Sequence, residues 1–320
     1  MHISIFTDPK IIESIILDRT EPWVNQTQEA IFHNKPLAYL SVIGNQYLQA
    51  LSPQFLFFNG DPFFRHSISR FGELLWVTAP FLFLGLASVI ATLKRKENQL
   101  ILAWLLFAPL PSALTQSGGQ HATRLFLLLP PLIILISLGL TQLNRLKANL
   151  QQFALSIFLL TALLNFTLYW HQYLTHYPSQ SFALWHGGYQ EAMTQLKPEL
   201  ANANKVYLNS TYQPSILPFV FYTKYPPKEF QKNFASDAPN EDLLPWFTGF
   251  ALDDKYYFGQ IKTETDLAKV LEPNDLYLAV QGKEIPGDWD WFSDPPKDLI
   301  GLYQIKDPLN QPLFTLVKLK

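Results

Sequence analysis

The chain has no cysteine among its 320 residues. That excludes disulfides, thiolate metal sites and a cysteine nucleophile, and it leaves the redox compartment open. Charge is scarce too: 16% of residues are Asp, Glu, Lys or Arg, and the formal net charge is -2. With no basic stripe interleaved with aromatics, a nucleic-acid partner is not expected. The opening MHISIFTDPK lacks a basic n-region and an apolar h-region, so no signal peptide is expected there. Walker, G-x-S-x-G and H-E-x-x-H motifs are missing, as are internal repeats and low-complexity tracts.

What the chain does have is apolar length. Hydrophobic residues make up 48% of it and concentrate between residues 74 and 170. Four segments there approach the roughly 20 residues that cross a bilayer. They are LLWVTAPFLFLGLASVIATL (74–93), LILAWLLFAPLPSALTQ (100–116), LFLLLPPLIILISLGLTQL (125–143) and FALSIFLLTALLNFTLYW (153–170). The second is short and broken by Pro109 and Pro111. The basic loops KRKEN (94–98) and NRLKANLQQ (144–152) belong in the cytoplasm by the positive-inside rule. Residues 1–73, the loop SGGQHATR (117–124) and everything after Tyr173 then lie outside. The expected fold is a mainly α membrane bundle of about four transmembrane helices (74–173) between an outer helical loop region (1–73) and an extracytoplasmic C-terminal α/β domain (174–320).

Within the outer portions, DPKIIESIILDR and PLAYLSVIGNQYLQAL have helical spacing, with Asp8-Pro9 as a helix start. Asn59-Gly60-Asp61-Pro62 is a strong turn signal. Further on, YQEAMTQLKPELANA reads as a helix and KVYLNST as a strand. KYYFGQI, DLYLAV, IGLYQIKD and PLFTLVKL have strand content, the last two joined across PLNQP as a hairpin.

Chemistry concentrates at the loop before the third span. Were a helix to begin near residue 120, His121 and Arg124 would share a face, and Gly118 and Gly119 would let the backbone approach a ligand closely. Helix-start N–H groups, a guanidinium and an imidazole then make an oxyanion site that suits phosphate. The alternative is an Arg snorkelling to headgroups beside an incidental His. Arg65, His66 and Arg70 form a second polar cluster after Asp61. Asp61 could act as a carboxylate base or a metal ligand, although Asp before Pro in a turn usually caps its own backbone. No residue set is assigned to a metal, and a divalent ion remains an option. Glu73 heads the first span as an interfacial residue. His171 and His176 have poor metal-ligand spacing, and Asp288, Asp290 and Asp294 lack the alternation of a calcium loop. Asn25-Gln26-Thr27 and Asn209-Ser210-Thr211 match the glycosylation acceptor pattern.

The segment YLSVIGNQYLQALSPQFLFFNGDPFFRHSISRFGELLWVTAPFLFLGL resembles the last large outer loop and following span of bacterial GT-C-type membrane glycosyltransferases. These are relatives of the protein O-mannosyltransferases, the lipid A aminoarabinose transferases and the RgtA/B/C/D-like enzymes. The likeness continues through W.LLAP.P.ALT....HA.R....LP, so that these residues run from Tyr39 through Pro130, and ALWHGGYQEAM (183–193) is similar to a W-x-x-GY-x-EA segment. Roughly residues 1–195 are covered. The resemblance implies transfer of a sugar from a polyprenyl-phosphate donor to an acceptor at the outer membrane face. It implies donor-phosphate binding by His121 and Arg124, with Arg65 and His66 beside them. Such enzymes carry their catalytic acid in a first outer loop after an initial transmembrane helix. No span precedes residue 74, so the chain reads as the C-terminal portion of a longer enzyme, with Asp61 a weak substitute for that acid. The competing reading is a non-catalytic membrane protein whose outer domain binds a glycan or a protein partner.

Overall fold

A computed structural model describes residues 4–20, 31–210, 214–234, 238–262 and 266–320. The chain divides into two compact units, Met1–Tyr177 and Pro178–Lys320. The Asn25-Gln26-Thr27 pattern and Thr211 lie outside the described residues.

The first unit is helical. Helix α1 (Pro9–Arg19) starts where Asp8 accepts the Lys10 N–H, with Pro9 at the first helical position. Helix α2 (Lys35–Ala50) starts in the same way, Asn34 accepting the Leu37 N–H. Ile11 and Ile15 are buried with Ile5, and Tyr39, Val42 and Ile43 of α2 pack on them. After α2 comes a π-helical turn, Gln54–Asn59, closed by Gly60 with φ 66. Three further helices follow, α3 (Ala79–Ala91), α4 (Lys96–Phe107) and the single turn α5 (Leu110–Ala113). The unit is completed by α6 (Leu129–Thr141) and α7 (Ala148–Thr175).

Helices α3 and α6 meet through glycine. A Cβ on Gly85 would lie 1.8 Å from the Leu135 carbonyl oxygen, and one on Gly139 would lie 1.8 Å from that of Phe81. Only residues without a side chain let two helix backbones come this near.

The expected four-helix membrane bundle is not what forms. Among the described residues, two helical stretches have the length and apolarity to cross a membrane: Phe126–Arg145, with 20 residues, and Ala148–Thr175, with 28. The first expected span shortens to Trp76–Ala91. The second ends as α4 at Phe107 and resumes only for the four residues of α5. Pro109 and Pro111 carry no N–H, so the ladder of backbone bonds cannot run through them. The chain is instead a mixed α/β protein with a seven-stranded sheet.

That sheet belongs to the second unit. Its strands are β1 (Val206–Asn209), β2 (Asn240–Leu244), β3 (Phe247–Leu252), β4 (Tyr256–Ile261), β5 (Leu276–Val280), β6 (Leu299–Lys306) and β7 (Pro312–Leu319), in the order β2-β3-β4-β1-β5-β7-β6. β1 pairs parallel with β4 and β5, and the outer pairs are antiparallel. All four residues of β1 are buried, as befits a central strand covered on both faces. Val206 and Leu208 join the core under α8 (Tyr189–Glu199), with Met193 and Leu196. Tyr207 points the other way, into a core with Tyr257, Tyr277 and Trp291.

Candidate functional site

The stretch 117–125 is a run of turns, and no α-helix begins at residue 120. A 3-10 turn starts at Phe126 and α6 at Leu129. Arg124 N–H and Leu125 N–H both donate to the His121 carbonyl, at 3.1 and 3.0 Å. The expected close approach of Gly118 and Gly119 to a ligand is made to the chain itself. A Cβ on Gly118 would strike the Ser112 carbonyl oxygen at 1.8 Å, and one on Gly119 would meet Gln49 Oε1 at 2.4 Å. Gly118 N–H donates to Gln46 Oε1 at 2.6 Å, and its carbonyl accepts from Ser112 at 2.6 Å. This network fixes the loop against α2.

The anion that meets this loop is Asp61. It is buried, 3% exposed, and its Oδ2 accepts the Ala122 N–H at 2.9 Å. The same oxygen lies 3.0 Å from His66 Nδ1 and 3.9 Å from His121 Nδ1. Its Oδ1 accepts the Phe63 N–H at 2.8 Å, the turn-capping role that Asp before Pro usually plays. One carboxylate therefore caps its own turn and ties GDPFFRHS to QHATR. The His66 and His121 rings lie 4.8 Å apart, inclined at 32°. Asp61 N–H donates to Glu73 Oε1 at 3.2 Å, and Ser67 donates to the Asp61 carbonyl.

Burial pushes the Glu73 carboxyl up to about 7, and the nearby Asp61 charge adds to this while the Asp61 N–H opposes it. His121 is held below its ordinary value, first by burial and then by the Arg124 guanidinium; Asp61 works against both, and His66 adds to the lowering. A neutral imidazole is the form that can bind a metal. Arg124 itself donates through Nη1 to Thr115 Oγ1 and the Gln116 carbonyl, at 2.7 and 2.9 Å. Arg65 stands over the Phe63 ring at 5.5 Å. With His66 and Glu73 it lines a cavity of about 410 Å³ that Asp61, His121 and Arg124 do not line.

Asp61, His66 and His121 form a group that could hold a metal ion. A four-coordinate ion with bonds of about 2.0–2.1 Å spaces its donors about 3.3 Å apart. The separations of 3.0 and 3.9 Å from Asp61 Oδ2 bracket that spacing. One carboxylate and two imidazoles suit a first-row transition ion better than magnesium or calcium. The residue types and the His-x-x-Arg spacing were visible in the sequence, but the ligand set was not, because its members come from loops far apart in the chain.

The weaker candidates stay bland. His171 and His176 meet only edge to face, with ring centroids 5.6 Å apart. Asp290 spends its oxygens on Phe292 N–H, Ser293 and Gln304. Comparison with known proteins finds no matching family model, no similar curated protein and no similar solved structure.

Proposed function

We propose that this chain carries donor-handling machinery of a bacterial GT-C-type glycosyltransferase, moving a sugar from polyprenyl phosphate to an acceptor at the outer membrane face. The observation that supports it is the Asp61 junction, which unites in one cluster the two motifs on which the resemblance rests. In such a transfer the acceptor oxygen gives its proton to a base, here the His66 imidazole, and bonds to the anomeric carbon, while the bond to phosphate oxygen breaks and its electron pair stays on the phosphate. Cationic groups fixed beside the departing phosphate lower that barrier. Arg124 has Nε and Nη2 to give beyond the two bonds of Nη1, and His121 adds a donor. Without an ion, Asp61 holds His66 by Nδ1, the arrangement in which a carboxylate orients an imidazole for proton transfer. A divalent ion held by Asp61, His66 and His121 would supply Lewis-acid stabilisation of the phosphate.

Membrane attachment is part of this reading. Helix α7 is about 42 Å long at 1.5 Å per residue. Asn165 is its only buried residue, while Leu160, Leu163 and Leu164 stand more than half exposed. A helix that is apolar on all sides and uncovered by protein is in its proper solvent in lipid.

The test is a titration of the full chain in detergent micelles with farnesyl phosphate, using farnesol as the control. Phosphate-dependent binding that weakens about tenfold or more in His121→Ala and Arg124→Ala is expected, the scale of a lost charge-assisted hydrogen bond. Equal binding of farnesol, or variants indistinguishable from the parent, would refute the assignment. A non-catalytic role in binding a glycan or a partner draws support from a pocket of about 860 Å³ in the second unit, where Trp185, Leu217 and Phe221 are exposed.

A further inference from the structure

The cavity that Arg65 and His66 line adjoins the Asp61 cluster through His66 but is built from other residues. Its volume of about 410 Å³ lies within the range of about 300–1,000 Å³ found for small-molecule sites. One wall is a ladder of rings on α7. Phe166 and Tyr169 stack with centroids 6.3 Å apart at 26°, and Tyr169 and Tyr173 with centroids 6.5 Å apart at 3°. Glu73 and Asn165 line the same cavity. Asn165 is 3% exposed, and its Oδ1 is buried without a hydrogen-bond partner among the described residues. An amide in the middle of an otherwise apolar helix, left unsatisfied, is a cost with no structural return. Such an atom points to a ligand that supplies the missing donor.

The lining selects the ligand's chemistry. Stacked aromatic faces are electron-rich and attract the weakly positive C–H edges of a saturated ring. The amide oxygen accepts from a hydroxyl, Glu73 can accept from another, and Arg65 can donate to a ring or hydroxyl oxygen. A lipid tail would leave Asn165 unsatisfied, and a simple anion would gain nothing from the rings. A saturated ring bearing several hydroxyls uses every group present. We infer that this cavity is a pyranoside-binding site, in which a sugar ring stacks on Tyr169 and Tyr173 and gives a hydroxyl to Asn165. The inference rests on the sugar-transfer reading only for what the bound sugar is used for.

Saturation-transfer NMR on the full chain in lipid discs, with methyl mannoside and methyl glucoside as probes, tests it. Magnetisation should reach the ring C–H protons of at least one probe. Asn165→Leu and Tyr169→Ala should each weaken that binding about tenfold or more, the equivalent of one good contact, while Tyr169→Phe keeps it. Asn165→Leu removes an unsatisfied buried acceptor, so its melting temperature should not fall, which separates a lost ligand from a lost fold. No transfer to either probe, or transfer unchanged in both weakening variants, would overturn the inference. Pyranoside binding that depends on Asn165, alongside failure of farnesyl phosphate to bind, would support this site while removing the transfer reading. The reverse pattern would remove this site alone.

Discussion

Replacing Asp61 by Ala removes one acceptor from three groups at once: Phe63 N–H at 2.8 Å, Ala122 N–H at 2.9 Å and His66 Nδ1 at 3.0 Å. A buried donor left without a partner costs about 1–3 kcal/mol. His66 is 22% exposed, so water replaces much of what it loses, and the two backbone donors carry the penalty. The expected destabilisation is about 2–6 kcal/mol, the sum for two such donors. Asp61→Asn keeps an acceptor oxygen for one of the two backbone donors and should cost about half as much, or about 2 kcal/mol. Denaturation of the full chain in a fixed detergent, followed by near-ultraviolet circular dichroism, measures the loss. Amide exchange at Ala122 reports it locally, because that N–H loses its only acceptor in the cluster. If Asp61→Ala unfolds within about 1 kcal/mol of the parent, a single hydrogen bond's worth, and Ala122 exchanges no faster, then Asp61 does not hold the two loops together.

Further expectations follow from packing and titration. Gly139→Ala and Gly85→Ala each place a Cβ 1.8 Å from a carbonyl oxygen of the facing helix, so α3 and α6 must separate. The cost should be at least the roughly 1–3 kcal/mol of ordinary overpacking, and a fall of less than about 1 kcal/mol in the same denaturation assay would contradict this crossing. In the second unit, burial raises the Glu284 carboxyl above its ordinary value, although Tyr277, the Val280 N–H and Asn209 oppose the shift. The folded state then holds this proton more tightly than the unfolded one. Its contribution is fully present below the ordinary carboxylate value of 4.5 and is lost as pH rises through the raised folded value. Glu284→Gln should therefore flatten the decline in stability on the alkaline side of 4.5, read from amide exchange across Leu276–Val280 at several pH values. An unchanged slope would show that Glu284 does not titrate in the fold's favour at acid pH.

Much of the local structure was legible in the sequence. The turn at Asn59-Gly60-Asp61-Pro62 forms, with Gly60 at φ 66, where a Cβ would lie 2.7 Å from the Phe71 carbonyl oxygen. KVYLNST, KYYFGQI, DLYLAV, IGLYQIKD and PLFTLVKL all contain strands, because alternation and turn residues are local signals. The spans were harder. A hydropathy window registers Phe107 and Leu110 as continuous, yet Pro109 and Pro111 interrupt the helix between α4 and α5. The site was half visible. His121 and Arg124 could be singled out by type and spacing, but the partner of that loop is Asp61, 61 positions earlier. Periodicity gives no information at that distance. No helix starts at residue 120: the stretch turns instead, Ala122 N–H reaches across to Asp61, and α6 begins only at Leu129.

The bond from Ala122 to Asp61 has a consequence for the order in which the molecule matures. A contact that closes a loop this long gives nothing back until most of the intervening chain has found its place. Helices α3 to α5 all lie between the two ends. During synthesis Asp61 and His66 can meet at once, whereas His121 remains a stranger to both until α5 has emerged and the chain has turned back.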